Sequence, residues 1–258
     1  MLLITVLFKR AKLQETVKKI SALTAGKRKK TILLNIGGSL LLTINWFSFI
    51  YVMNHISVKA TSLAYLVCPI LTTILAFSIL HEKVSKTQWV SVALSITGCL
   101  LLSYANIIDM MYSMVIGLSY AGYLITQREN TGFDKFIVLT FHIVLSALIL
   151  LPFYPYFSGA VPAEFKFYFY VEIIAVAFTI IPLFLNLYAL KRLNSSTVGM
   201  LLNINPIIAF LLASLVYHEP ITGFQFIAYG LIFVAVVVFN AHLIWGSRQK
   251  EEPVTESV

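Results

Sequence analysis

The sequence predicts an all-α membrane protein: an inverted repeat of two five-helix bundles, a ten-helix architecture whose first helix and part of the second fall before Met1. Three observations predict it. Hydrophobic residues make up 59% of the 258 positions and charged residues only 12%, far more apolar than a soluble domain needs. Lysine and arginine gather in alternate connections between the apolar stretches. Finally, PILTTILAFSILHEKVSKTQ, from Pro69 to Gln88, returns as PIIAFLLASLVYHEPITGFQ, from Pro206 to Gln225.

A helical crossing takes about 20 apolar residues. Eight stretches qualify: Thr31–Asn54, Ala60–Leu80, Gln88–Tyr104, Met110–Gln127, Phe136–Tyr154, Phe167–Leu190, Thr197–Tyr217 and Gly223–Trp245. Among them Glu172 is the one Asp, Glu, Lys or Arg. Backbone amides in lipid must be satisfied within their own segment, so these stretches are helices. The period-2 alternation of a membrane barrel is absent.

Of the 19 Lys and Arg, nine lie in Lys9–Lys30, and Lys83, Lys86, Arg128, Lys135, Lys191, Arg192, Arg248 and Lys250 lie in the connections on the same side. Only Lys59 and Lys166 lie on the other. Basic loops stay inside, which places these connections and the C-terminus in the cytoplasm of the cell whose membrane the chain crosses. The net charge of +8 therefore reports topology, and nucleic acid is not expected as a partner. Between Lys9 and Lys30 two readings stand. One is a basic helix lying on the inner leaflet with Leu13, Val17, Ile20 and Leu23 as its apolar stripe; the other is a solvated loop.

The two quoted stretches lie 137 residues apart. The same offset carries His81-Glu82 onto His218-Glu219, Gln88 onto Gln225 and Tyr51 onto Tyr188. From one proline helix to the other is five crossings, an odd number, so the second copy enters from the opposite side. The second copy has five helices from about Met110, which puts the start of the first before residue 1. The expected division is a first repeat over 1–106, a second over 107–246 and a disordered cytoplasmic tail over 247–258.

A zinc site of the His-Glu-x-x-His kind would need a second histidine where Ser85 and Thr222 stand, so the His-Glu pairs read as helix ends at the membrane surface. No metal, cofactor or catalytic apparatus is expected. Cys68 and Cys99 read as small packing residues inside apolar helices. Pro69, Pro182 and Pro206 read as helix-break positions, and such breaks in inverted repeats point to a solute path. Asn45, Trp46, Tyr65, Asn186, Asn203 and Asn205 cluster near the prolines. Buried amides either tie helices together or line a cavity. Gly37, Gly38 and Gly117 allow close helix contact. Glu172 and His142 are lone ionisable groups within helices and the candidates for proton coupling.

The run INWFSFIYVMNHISVKATSLAYLVCPI with HEKVSKTQW, then IPLFLNLYALKRLNSSTVGMLLNINPIIAF with YHEP, resembles the EamA-type transporters of the drug/metabolite transporter superfamily, with RarD-like permeases as the nearest branch. The resemblance implies a central cavity, admitting Asn45, Trp46, Tyr65, Tyr120, Asn186 and Asn203 as substrate-binding candidates. It places His142 on a peripheral helix. Lys59, where the branch is acidic, and Cys68, where an asparagine precedes the proline, depart from it. The function implied is a permease exporting small organic metabolites or drugs by alternating access, with lipid around it and a proton or another ion as driving partner. The alternative is a membrane protein that transports nothing: a sensor, scaffold or truncated remnant. Solute identity and oligomeric state are not written in the sequence.

Overall fold

The computed structural model describes residues 5, 8–56, 58–103, 107–157, 159, 161–216 and 222–246. His218-Glu219 and the tail lie outside the described residues. Among the described residues ten helices order the fold: α1 Arg10–Ala22, α2 Ala25–His55, α3 Val58–Ile79, α4 Lys86–Ser103, α5 Ile107–Glu129, α6 Lys135–Leu150, α7 Phe165–Ala189, α8 Ser195–Leu201, α9 Ile204–Leu215 and α10 Gly223–Gly246. Helix α6 runs on through a short 3₁₀ turn to Phe157, and α7 contains a π-helical segment over Ile174–Ile180. Among the described residues there is no strand.

Among the described residues seven spans are long and apolar enough to cross a membrane, with α8 and α9 together supplying one of them. The eighth expected crossing, Gln88–Tyr104, lies on α4 but is not among the seven. Its first turn is Lys86-Thr87-Gln88, so the apolar run starts only at Trp89. Helix α1 is formed, which favours the helical reading of the basic segment. Its inward residues are Leu13, Thr16, Ile20 and Leu23, while Val17 points outward and is 55% exposed.

Local chemistry explains the helix ends. Ser85 and Gln88 form a reciprocal box at the start of α4: the Ser85 amide donates to Gln88 Oε1 at 2.9 Å, and the Gln88 amide donates to Ser85 Oγ at 3.2 Å. The same box opens α10, where the Thr222 amide donates to Gln225 Oε1 at 3.0 Å and the Gln225 amide to Thr222 Oγ1 at 3.3 Å. Each satisfies amides that a helix start would leave orphaned. At α6, Asp134 Oδ1 accepts from the Phe136 and Ile137 amides at 2.9 and 3.2 Å. The turn before it passes through Gly132 at φ 89°, a left-handed conformation that glycine adopts without steric cost.

The helix boundaries repeat at the sequence offset. Shifted by 137 residues, Val58 at the start of α3 falls on Ser195 at the start of α8, and Lys86 of α4 falls on Gly223 of α10. Helices α4 and α10 pack on each other through matching positions. Ser91, Ser95 and Gly98 are buried on one; Ala228, Ile232 and Ala235, the same positions shifted, are buried on the other.

Among the described residues three apolar clusters hold the bundle, a small one of Val52, Ala60, Ala64 and Ile116 and two larger ones. One of the larger joins Leu66 and Ile70 of α3 and Cys99 of α4 to Met200 of α8 and Phe239 of α10. The other joins Leu42 of α2 to Leu124 of α5, Leu139 of α6 and Leu187 of α7. Each core thus takes residues from both sides of residue 107.

Close crossings run over glycines. A Cβ on Gly199 would sit 2.7 Å from Thr72 Cγ2, and one on Gly98 would sit 2.7 Å from Ile232 Cγ1. Gly117 abuts the α3 backbone, with Cys68 N 3.3 Å from its Cβ position. Gly38 faces Gln127 and His142, whereas Gly37 has open space. Gly37 therefore departs from the expected contact role.

Two predictions follow from this packing. Gly199→Ala lowers stability by about 1–3 kcal/mol through overpacking at the α3–α8 crossing. Gly37→Ala is neutral or raises it by roughly 0.5–1 kcal/mol, since Ala suits a helix interior better. Thermal unfolding in detergent, read by circular dichroism, checks both.

The Asp134 carboxyl supplies a third. Burial pushes its pKa up, but the Ile137 amide, Lys9, the Phe136 amide and Lys12 together hold it below the usual carboxylate value. A depressed carboxylate stabilises the fold above its unfolded pKa, and that contribution is lost as pH falls through the folded one. Asp134→Ala should destabilise the wild-type fold at neutral pH and flatten the acid limb below about pH 4, measured as melting temperature against pH.

Candidate functional site

Four of the six substrate-binding candidates gather where α2, α5 and α7 meet. Asn45 is buried on α2, and its Nδ2 donates to the Ile116 carbonyl of α5 at 2.9 Å. A longer contact of 3.5 Å reaches Ser119 Oγ. Asn45 is thus a tie between helices, one of the two roles open to it. Beside it, Trp46 and Tyr120 border the core cluster of Leu42, Tyr123 and Leu187. Asn186 on α7 donates from Nδ2 to the Tyr120 hydroxyl at 3.1 Å. Both partners are half-buried, so the pair is reachable as well as bonded. The Tyr120 ring lies 6.0 Å from that of Tyr123, tilted by 31°.

Tyr65 stands further along α3 and is 41% exposed. Its ring meets Phe49 of α2 edge to face, with centroids 5.7 Å apart.

Asn203 lies elsewhere, in the interruption between α8 and α9, where Leu202 and Asn203 leave the α-helical pattern. The amide of Asn205 donates to Leu202 O at 3.2 Å, a tightened turn just before Pro206. Asn203 is fully buried; among the described residues its Nδ2 donates to the Met200 sulfur at 3.4 Å and its Oδ1 has no partner. A buried amide oxygen without a donor costs free energy.

The three prolines differ. Helix α3 runs through Pro69 without interruption. Pro182 follows directly on the π segment, at the start of the regular turns Ile181–Ala189. Pro206 follows the break at Asn203. Glu172 is exposed on α7. His142 is fully buried, with Nδ1 3.4 Å from the Tyr123 hydroxyl and no partner for Nε2 among the described residues.

One contact escaped the sequence reading. Glu82, classed there as a helix end, reaches across to α8. Its Oε1 accepts from the Ser195 amide at 2.8 Å, and its Oε2 accepts from the Ser196 amide at 3.2 Å and the Ser196 hydroxyl at 2.6 Å. The preceding residue makes this possible. His81 adopts φ 53°, and the chain turns so that the Glu82 amide donates to Ala76 O at 3.1 Å. Histidine is among the few side chains enriched in that left-handed region. A carboxylate on the first amides of a helix is favoured by its dipole and by charge-assisted bonds. The signal available in the sequence was the recurrence of the His-Glu pair, whose partner lies 113 residues away. Among the described residues no cluster of three His, Cys, Asp or Glu side chains could hold a metal.

Glu82→Ala should cost about 0.5–2 kcal/mol, the scale of a lost helix cap. His81→Gly should leave stability unchanged or slightly raised, whereas His81→Val should lower it by about 1–2 kcal/mol. Urea or thermal unfolding of the purified variants separates these outcomes.

The family model described as the EamA-like transporter family matches residues 1–104 and 108–241. The uncharacterized transporter YojE of Bacillus subtilis (strain 168) is 29% identical over 205 residues, covering 78% of this chain and 68% of that protein. Protein RarD of Salmonella typhi is 26% identical over 232 residues, covering 87% of this chain and 77% of that protein. Protein RarD of Escherichia coli (strain K12) is 26% identical over 211 residues, covering 80% and 70%. A solved crystal structure shares the fold at TM-score 0.65 and 17% identity, covering 84% of this chain and 77% of that one. With apolar spans, glycine-notched crossings and a match over both parts of its length, the chain belongs to the EamA-like transporter family and is a multi-pass membrane protein.

Proposed function

We propose that the protein is a secondary transporter that exports small organic solutes by alternating access. Its two repeats thread the cell membrane in opposite senses, with the basic end and the C-terminus in the cytoplasm. The observation that carries the reading is the Glu82 clasp. It joins the α3–α4 turn of the first repeat to the start of α8 in the second, at the basic end. Three hydrogen bonds to a partly exposed carboxylate hold that end together, yet water can replace them one by one. Such a polar, breakable closure is what a rocking bundle needs at an end that must open.

The solute would sit beyond the clasp, between Trp46, Tyr65 and Tyr120, with aromatic faces taking its apolar body. Asn186 would orient it by exchanging the Tyr120 hydroxyl for a solute acceptor, and the unpartnered Asn203 oxygen would accept from a solute donor. Asn45, Pro69, Pro182 and Pro206 would shape the surrounding helices. Support for two inverted repeats comes from the shared helix starts, the duplicated capping boxes and the two matched segments.

Flux into proteoliposomes, measured over a panel of radiolabelled amino acids and aromatic amines with and without an imposed pH gradient, tests the proposal. Asn186→Ala and Tyr120→Ala should cut flux of the carried solute about tenfold or more, the scale of one lost charge-free binding contact plus its positioning. Glu82→Gln should slow turnover with KM little changed. If no solute in the panel crosses faster than in empty vesicles, the reading as a transporter of this solute class fails. A gradient-dependent rate would identify the proton as the driving ion.

A further inference from the structure

We propose that the cleft between α1, the α5–α6 turn and the end of α7 is a binding site for a phosphate group, distinct from the solute path. The cleft has a volume of about 510 Å³. Five cations line it: Lys12, Lys19, Arg128, Lys135 and Lys191. Its two carboxylates are already engaged, Asp134 with Lys12 at 3.4 Å and Glu15 with Lys19 at 2.7 Å. Arg128, Lys135 and Lys191 then remain, with no carboxylate partner among the described residues.

Lys135 decides the matter. It is 4% exposed, and its ammonium donates to the carbonyls of Gln127 at 2.9 Å and Asn130 at 3.0 Å. Two carbonyls do not neutralise a cation, and Lys191 and Arg128 stand within electrostatic reach of it. Arg128 spends one guanidinium arm on the Leu190 carbonyl, which fixes it at the rim. Lys191 lies over the Tyr188 ring, 5.3 Å from its centroid. A buried cation beside two others is costly unless an anion completes the set. A tetrahedral oxyanion supplies several acceptors at once, and the fixed Arg128 and Lys135 donors are suited to it.

The proposed orientation puts this cleft at the inner leaflet, so the phosphate could belong to an anionic lipid headgroup or to a soluble phosphate ester. The full chain is placed in nanodiscs of phosphatidylcholine and titrated with inorganic phosphate and glycerol 3-phosphate. In parallel, nanodiscs containing phosphatidylglycerol are examined by native mass spectrometry for retained lipid. Saturable binding of the soluble esters supports the site with a soluble ligand; retention of phosphatidylglycerol over phosphatidylcholine supports it with a lipid ligand. In either arm Lys191→Gln and Arg128→Gln should weaken binding about tenfold or more, one charge-assisted contact each, and added salt should weaken it further. Lys27→Gln, an exposed change on α2 outside the cleft, should leave it unchanged. Circular dichroism confirms that each variant is folded. No preference for any phosphate in either arm, or equal loss in Lys27→Gln, overturns the proposal.

Discussion

A helix in lipid has no water to turn to, and the arrangement of this bundle follows from that constraint. Polar side chains within the spans must be matched by other protein groups. On α2, Asn35, Ser39 and Thr43 recur one turn apart and form a stripe against α5 and α6. Asn130 donates to Asn35 Oδ1 at 3.0 Å, Thr43 donates to Ser146 Oγ at 2.8 Å, and Ser146 donates to Ser39 O at 3.3 Å. Asn45 continues the line toward Ile116. These bonds fix which face of α2 turns inward, while apolar packing alone would tolerate other rotations. Two buried atoms near the notch at Gly38, Gln127 Oε1 and His142 Nε2, have no partner among the described residues.

The internal repeat does not divide the molecule into two separate bodies. Each apolar core draws on both halves, and the tightest crossings, Gly199 on Thr72 and Gly98 on Ile232, are between halves. Movement of one repeat against the other would therefore slide glycine surfaces past each other. Such surfaces present backbone and small atoms, with few interlocked side chains to repack.

Much of this was legible in the sequence. Apolar length and the absence of alternation gave the helices, because the lipid constraint leaves few alternatives. The offset of the proline helices held to the residue at the starts of α3 and α8. Gly38 and Gly117 were readable as contact points from their place in apolar runs. What stayed hidden depends on partners far along the chain. The Glu82 contact with α8 requires knowing that His81 turns left-handed. The inward face of α1 could not be read because Thr16, not Val17, completes it. The choice between tie and cavity wall was open for every amide, and geometry alone assigned Asn45 to the first role.

The π-helical segment Ile174–Ile180 has one more consequence. Glu172 and Asn186 flank it, fourteen positions apart, and at about 100° per residue an unbroken α-helix would bring them back to within roughly 40° of one azimuth. A wide turn absorbs an extra residue and so rotates everything after it by about 100° relative to what came before. The phase slip allows one continuous rod to show an acidic group outward, where Glu172 is exposed, and an amide inward, where Asn186 meets Tyr120. Only if all fourteen positions wound as unbroken α-helix would those two side chains share a flank; deleting a single residue inside the segment would remove the wide turn and leave them facing apart as they do now.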